Sequence, residues 1–192
     1  MADYIITSSK IHFTPLQPRE DDIRIQDIAH ALSLMTRANG HFPEFYSVAQ
    51  HSIHCAEEAI AREYSNRVIL ACLLHDASES YLADITRPVK RNLKRYLEVE
   101  EVLQNVIFHK YLERPLTREE NDMVSSVDDA LLYYEFYHYM EVELFETAPR
   151  LHSQPEFGTL GFREVEERFL ELFMEFKFQH RKPGNTVERI GT

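Results

Sequence analysis

The spacing of apolar positions along the chain is typical of a helical protein. Over most of the sequence, apolar residues return every three or four positions, which is the period of an amphipathic helix. Strand-like alternation is confined to residues 4–7 and 11–14, which predict a short hairpin or an extended arm. The pattern predicts helices over residues 25–37, 47–64, 65 or 66 to 76, 88 to about 112, 117 to about 140, and 162–178.

Capping residues and helix breakers agree with these boundaries. Ser47 follows the loop "HFPEFY" and is a suitable N-cap, and Thr117 with Glu120 three residues later forms a capping-box pattern. Residues 148–158 contain two prolines and predict a loop. We therefore predict an all-α protein with a short N-terminal extended segment. Its one domain covers residues 1–192, with the core at about 20–180 and a frayed tail over 183–192.

Composition narrows the class of protein. The chain has 192 residues, of which 44% are hydrophobic, enough for one domain with its own core. The longest uninterrupted apolar run, residues 68–74, is too short to span a bilayer, and the N-terminus lacks the pattern of a secretory signal. Cys55 and Cys72 lack zinc-finger spacing and fall in apolar helical stretches. We expect reduced core cysteines in a cytoplasmic protein that does not associate with a membrane.

The net charge of −11 argues against a nucleic-acid polymer as a partner, because such binding needs a positive surface. A small anionic substrate remains compatible with it, since a local group of cations can bind a phosphate on an acidic protein. Such a group occurs within nine residues: Arg87, Lys90, Arg91, Lys94 and Arg95. Lys94 and Arg95 fit a solvated helix face equally well.

Four polar residues occupy helix positions whose neighbours predict burial. They are His51, His75, Asp76 and Asp128. Burial of a lone charge is costly, and coordination of a metal ion is a common solution. Two imidazoles and two carboxylates can bind a divalent ion while leaving positions open for water and substrate. From spacing alone, satisfied core histidines and paired aspartates remain an alternative.

The sequence around these four positions resembles the HD-domain metal-dependent phosphohydrolases, whose signature is H…HD…D. The resemblance extends over "RANGHFPEFYSVAQHS" (37–52), "LLHDASESYLADITRPVK" (73–90) and "VSSVDDALLYYE" (124–135). These blocks are similar to those of a bacterial and phage subgroup that includes deoxynucleoside 5′-monophosphatases and phage dATP triphosphohydrolases. The similar region covers roughly residues 20 to 135.

The resemblance implies one divalent metal ion, which could be Mn, Co, Ni, Zn or Mg. The four positions named above would be its ligands, and Asp129 is a register alternative to Asp128. It also implies two catalytic acids. Glu79 would orient or activate the attacking water, and Asp84 would donate a proton to the leaving oxygen.

The resemblance further implies residues that contact the substrate. Arg37 would contact its phosphate or sugar, and Lys90 and Arg87 would lie near the phosphate. His41 would line the cleft or cap a turn. The family often has an aromatic residue directly after the arginine, but this chain has Ala38, so Phe42, Phe45 or Tyr46 would have to replace it. His109 is expected on an exposed helix face and not as a ligand.

The function implied is hydrolysis of (deoxy)nucleotide phosphate esters, either as a dNMP 5′-nucleotidase or as a dNTP triphosphohydrolase. The cationic group slightly favours a triphosphate substrate, because it could bind a longer polyphosphate tail. The alternatives are a nucleotide-signal phosphodiesterase and a catalytically silent nucleotide-binding or regulatory module. A homo-oligomer is implied by resemblance only.

Overall fold

The computed structural model describes residues 3–180, which form a bundle of helices behind a short hairpin. The strands are β1 (Ile5–Ile6) and β2 (His12–Phe13), and the helices are α1 (Ile25–Leu34), α2 (Val48–Ala61), α3 (Asn66–Leu74), α4 (Arg87–Lys90), α5 (Lys94–Leu112), α6 (Arg118–Met140) and α7 (Phe162–His180). Short 3-10 turns occur at Glu20–Asp22, Arg37–Gly40 and Ala77–Ser80. The all-α prediction is confirmed, whereas the predicted frayed tail at 183–192 lies outside the described residues.

Helix α7 packs against α1, α2 and α3 and supplies the centre of the apolar core. Phe169 and Leu172 of α7 are fully or almost fully buried, as are Leu32 of α1 and Leu70 of α3. Each such side chain contributes about 1.5–3 kcal/mol by leaving water. The three helices are thereby held in fixed positions, and residues 3–180 contain no helix long and apolar enough to cross a membrane.

The N-terminal hairpin is anchored to this core by an aromatic contact. β1 and β2 pair antiparallel, with Ile5 opposite Phe13. The fully buried Phe13 ring stacks on Tyr81 with centroids 4.0 Å apart. Of the two predicted alternatives, a short hairpin and an extended arm, the structure has the hairpin, which packs against the bundle through Phe13.

The predicted caps form as the sequence indicates. The hydroxyl of Ser47 accepts from the backbone N–H of Gln50, which begins α2. Thr117 and Glu120 make both hydrogen bonds of a capping box at the start of α6. Each such cap is worth about 1 kcal/mol, so these boundaries are set locally.

Helix α1 ends at Leu34, so the prediction of a helix to Arg37 was wrong at that end. The reason is a competing set of backbone hydrogen bonds. The N–H of Val48 donates to the Met35 carbonyl, and the N–H of Arg37 donates to the Tyr46 carbonyl. Arg37 therefore lies on a tight turn instead of a helix.

Helix α3 also ends early, at Leu74, whereas the sequence predicted that it runs to Asp76. Gln104 of α5 satisfies the backbone groups that this end leaves free. Its amide donates to the Leu74 carbonyl at 2.7 Å and accepts from the Ser78 N–H at 3.0 Å. The chain then continues into the 3-10 turn Ala77–Ser80, which carries Glu79.

The long helix predicted from 88 to about 112 is two helices, α4 and α5. The Asn92 side chain donates to the Pro88 carbonyl at 2.9 Å, and such side-chain capture competes with helical hydrogen bonds. The break at residues 91–93 turns α4 toward the cluster of polar residues described next.

Candidate metal centre

Packing of α6 against α2 and α3 brings all four predicted metal ligands together. His51 is on α2, His75 and Asp76 directly follow α3, and Asp128 is on α6. His51 Nε2 lies 3.2 Å from both His75 Nε2 and Asp128 Oδ1, and His75 Nε2 lies 3.2 Å from Asp76 Oδ2. Two other separations are longer, with His51 Nε2 3.9 Å from Asp76 Oδ2 and His75 Nε2 3.8 Å from Asp128 Oδ1. Nitrogen and oxygen ligands about 2.1 Å from one ion would lie about 3–4 Å apart, so the spacing is compatible with a shared divalent ion.

The hydrogen bonds of the two imidazoles also fit a cation. His51 Nδ1 donates to Glu135 Oε1 at 2.5 Å, and His75 Nδ1 donates to the Cys72 carbonyl at 2.8 Å. Both partners are acceptors, so the Nε2 atoms are left to face the cluster. In the part of the chain that the structure describes, Asp128 Oδ1 has no hydrogen-bond donor although it is buried. Acceptor atoms of these side chains therefore face one another, and the cation that now lies against them is the Arg37 guanidinium, with Nη2 3.0 Å from His51 Nε2.

Electrostatics at this point favour positive charge. Burial opposes the charge on Asp128, but the His51 and His75 rings outweigh it and hold the pKa of Asp128 well below its usual range. Burial likewise opposes charge on His75, yet Asp76 and Asp128 raise the pKa of that imidazole well above its usual value. A proton or a divalent ion would be stabilised by the same carboxylates.

Arg37 reaches into the cluster from its turn. Its guanidinium lies 3.3 Å from Asp76 Oδ2 and 3.5 Å from Asp128 Oδ1. Ala38 and Asn39, which follow it, have φ of 52°, and Gly40 has φ of 74°. A left-handed conformation costs about 1–2 kcal/mol for a residue such as alanine. The strained turn, pinned by the bridge between Thr36 and Ser47, holds the Arg37 backbone beside the cluster.

A cavity of about 580 Å³ opens beside the cluster. Its polar lining residues are Arg37, His41, Asp76, Glu79, Asp84, Thr86, Arg87, Lys90 and Asp128, and its apolar lining residues include Ala38, Phe42, Ile85, Leu132, Phe136, Met140 and Leu144. All four predicted substrate contacts thus line the cavity. Of the three candidate aromatics only Phe42 lines the cavity, where its ring stacks on Tyr139 and meets the Phe136 edge.

Both predicted catalytic acids line this cavity. Glu79 is almost fully buried, and its Oε2 has no hydrogen-bond partner among residues 3–180. Burial and the neighbouring Asp76 carboxylate raise the pKa of Glu79 well above its usual value. Burial also raises the pKa of Asp84, against the opposing effect of Arg37. A raised pKa suits a carboxylic acid that has to exchange a proton near neutral pH.

The cations of the cavity are paired with carboxylates. Lys90 Nζ lies between Glu79 Oε1 at 3.3 Å and Glu100 Oε1 at 2.5 Å. Arg87 contacts Asp128 Oδ2 at 2.5 Å and the half-exposed Asp129 at 2.7 Å. Asp128 therefore faces the histidines, while Asp129 contacts only Arg87 within the ion pairs of the described chain.

The other members of the cationic group contribute less. Arg91, Lys94 and Arg95 are absent from the cavity lining described above, and Arg95 pairs with Glu98 at the surface. His109, as predicted, is exposed, and it contacts Glu20 at 2.9 Å.

Sequence reasoning missed two residues at the cluster. Glu135 is fully buried and binds His51; it follows Asp128 by seven residues, which places both on one face of α6. Cys55 is one turn beyond His51, with Sγ 3.4 Å from His51 Nε2, so His51, Cys55 and His75 form a group that could hold a metal ion. Burial raises the pKa of the Cys55 thiol well above its usual value, which opposes the thiolate form. Both cysteines are free and buried, as expected.

Comparison with known proteins finds relatives without a described activity. No family model matches the chain. The chain is 42% identical over 108 residues to "Uncharacterized protein YfdR" of Escherichia coli (strain K12), covering 56% of this chain and 58% of that protein. It is 40% identical over 102 residues to "Uncharacterized protein RCAP_rcc00048" of Rhodobacter capsulatus, covering 50% and 52%. The chain thus matches a little over half the length of these curated relatives.

Proposed function

We propose that this protein is an HD-domain phosphohydrolase that hydrolyses a nucleotide phosphate ester with the help of one divalent ion. The observation that carries the proposal is the convergence of His51, His75, Asp76 and Asp128 beside a cavity lined by both cationic and apolar side chains. Spacing alone left satisfied core residues as an alternative. The meeting of two imidazole Nε2 atoms with carboxylate oxygens favours a metal site over that alternative.

The four side chains would hold the ion, whose identity among Mn, Co, Ni, Zn and Mg is open. When bound, such an ion supplies Lewis acidity toward a phosphoryl oxygen and makes water easier to deprotonate. Its role in this protein is supported by the donor set, in which nitrogen and oxygen atoms are mixed.

The protein's own groups would manage protons and charge. Glu79, buried at the wall of the cavity, would orient the attacking water and accept its proton. Asp84, with its raised pKa, would give a proton to the leaving oxygen. Arg37 would neutralise negative charge on the phosphoryl group. Lys90 would act in part through Glu79, since its ammonium group already contacts that carboxylate.

The mixed lining of the cavity supports a nucleotide as substrate. A phosphate suits the cationic side chains Arg37 and Arg87 of the lining, and a base suits its apolar side chains, such as Phe42. Only Arg87 and Lys90 of the cationic group reach the cavity lining, which weakens the expectation of a long polyphosphate tail. We therefore propose a dNMP 5′-nucleotidase or a dNTP triphosphohydrolase as equal candidates. A cytoplasmic location and a homo-oligomeric state belong to the same proposal.

The test is a release assay with the purified protein, stripped of metal and reloaded separately with each of the five ions. Phosphate, pyrophosphate and triphosphate would be measured on dNMPs, dNTPs and their ribose counterparts, with Asp76→Ala as the control. Phosphate from dNMPs would indicate a 5′-nucleotidase, and triphosphate from dNTPs a triphosphohydrolase.

Two other outcomes would overturn the proposal. Release from cyclic or signalling nucleotides in place of dNMPs and dNTPs would identify a phosphodiesterase. No release with any ion, with wild type and Asp76→Ala indistinguishable, would leave a nucleotide-binding or regulatory module.

A further inference from the structure

Glu135 is a fully buried carboxylate that contacts both functional halves of the site. Its Oε1 accepts from His51 Nδ1 at 2.5 Å, on the side of the metal ligands. Its Oε2 accepts from Arg37 Nε at 3.3 Å, on the side of the cavity that Arg37 lines. One rigid group therefore fixes the direction of an imidazole and of a guanidinium that belong to two separate segments of the chain.

Two further residues hold the carboxylate from behind. The Tyr46 hydroxyl has one hydrogen, which it donates to Glu135 Oε1 at 3.0 Å. Its oxygen is then free to accept from His54 Nδ1 at 2.9 Å. Tyr46 and His54 are 0% and 5% exposed, so water does not compete for these bonds. The chain His54–Tyr46–Glu135–His51 has a defined direction and ends at the face of the metal centre.

We propose that Glu135 is a positioning residue that couples the metal ligand His51 to the substrate-binding Arg37, and that Tyr46 and His54 fix its orientation. A carboxylate on the far nitrogen of a metal-binding histidine locks the ring and makes its other nitrogen a better ligand. The same carboxylate keeps the Arg37 guanidinium from turning away. The Arg37 half of the proposal rests on the proposed function, whereas the His51 half requires only that a metal binds.

The variant Glu135→Gln separates this role from bulk packing, because it keeps the shape of the side chain. An amide has one acceptor oxygen, so it can satisfy His51 with Tyr46, or Arg37, but not both sides. If the oxygen faces His51, the amide hydrogens face Arg37 and repel it. Glu135→Gln is therefore expected to affect metal and substrate together.

The experiment measures metal affinity by isothermal titration calorimetry, and the visible absorption spectrum after loading with Co²⁺, on variants that circular dichroism shows to be folded. Loss of a partner behind a metal-binding histidine typically lowers affinity about 10–100-fold, and we expect that loss in Glu135→Gln. The cobalt spectrum should shift in the same variant, because the His51 ring is no longer fixed. Where wild type hydrolyses a nucleotide, KM should also rise.

Tyr46→Phe provides a second test that does not change the charge of the core. It removes one donor from Glu135 Oε1 and the acceptor of His54, and a smaller loss of metal affinity is expected. Tyr139→Phe is its matched control, since Tyr139 packs in the same aromatic cluster with ring centroids 5.4 Å from Tyr46, and its hydroxyl is outside the chain from His54 to His51.

Glu58→Gln is the matched control for Glu135→Gln, because Glu58 is also 0% exposed but contacts no residue of the metal cluster among its hydrogen bonds. Metal affinity and a cobalt spectrum equal to wild type in both Glu135→Gln and Tyr46→Phe would overturn the inference. If the wild-type protein binds no metal, the proposed metal-dependent function is wrong. If the wild type binds metal and the two variants bind it equally well, only the positioning role of Glu135 is wrong.

Discussion

Among residues 3–180, two glutamates are completely buried, and their surroundings differ in kind. Glu58 of α2 accepts from the backbone N–H groups of His152 and Ser153, from the Ser153 hydroxyl and from Arg62 Nε. Glu135 of α6 accepts from the side chains of His51, Arg37 and Tyr46, of which His51 faces the candidate metal cluster and Arg37 lines the cavity. The first carboxylate fastens the loop after α6 to α2; the second organises groups that can do chemistry.

The comparison shows why burial alone does not identify a functional carboxylate. Buried charges are normally satisfied, and both glutamates are. What distinguishes Glu135 is that its donor His51 has a second ring nitrogen turned toward the carboxylates, with Nε2 3.2 Å from Asp128 Oδ1. The following predictions test that distinction, from the largest expected effect to the smallest.

Asp76→Ala should have the largest effect, because it changes the candidate metal cluster and leaves the surroundings of Glu58 intact. It removes a carboxylate 3.2 Å from His75 Nε2, and we expect nucleotide hydrolysis to fall to background while the circular dichroism spectrum and melting curve stay cooperative. The measurement is phosphate release at saturating metal. Turnover equal to wild type would show that the cluster is not the reacting centre.

Glu79→Gln should lower kcat and leave the metal affinity unchanged. General acid–base groups typically contribute about 10²–10⁴-fold, so kcat should fall in that range while metal affinity remains within twofold of wild type. Parallel kinetics and calorimetry check this. Unchanged kcat would remove the role assigned to Glu79, and loss of the ion would reassign it as a ligand.

Glu58→Gln should alter stability without altering the site. A buried group left without its partner costs about 1–3 kcal/mol, and an amide cannot satisfy all the donors that Glu58 now binds. Urea unfolding should show that loss, and metal affinity should stay at the wild-type value. A change in metal affinity would mean that the two regions are coupled through α2, and the comparison would fail.

The pH dependence of stability should show a smaller effect of the same residue. Burial raises the pKa of Glu58, but the hydrogen bonds from Ser153, Arg62 and His152 outweigh it, so the folded-state pKa is lowered. Its contribution is therefore fully present above the unfolded value of about 4.3 and is lost as pH falls through the lower folded value. Between pH 6 and 3, wild type should lose more stability than Glu58→Gln. Parallel curves would contradict the assignment.

The sequence predicted the parts of the fold that local physics determines. The helical period located the six long helices of residues 3–180, and the caps at Ser47 and Thr117 form as expected. The predicted helix ends at Arg37 and Asp76 were wrong, because a backbone carbonyl of Tyr46 and the side-chain amide of Gln104 compete for hydrogen bonds near these ends. These partners are distant in sequence, so no local pattern could have indicated them.

The sequence also predicted most residues of the candidate site, but not all of them. The polar residues on apolar stripes gave the four clustered side chains, and the resemblance gave Glu79, Asp84 and Arg37 at the cavity. Glu135 was missed although it is two turns beyond Asp128 on the same face. A buried carboxylate whose partners come from two other segments becomes recognisable only when those segments are placed together.

The most direct test of the account is a calorimetric titration of the metal-stripped protein with divalent ions, compared with Asp76→Ala and Glu58→Gln. The account predicts one ion for each wild-type chain, loss of binding in Asp76→Ala, and unchanged binding in Glu58→Gln. Binding by none of the three, or equal binding by all three, would contradict the claim that His51, His75, Asp76 and Asp128 form a metal centre.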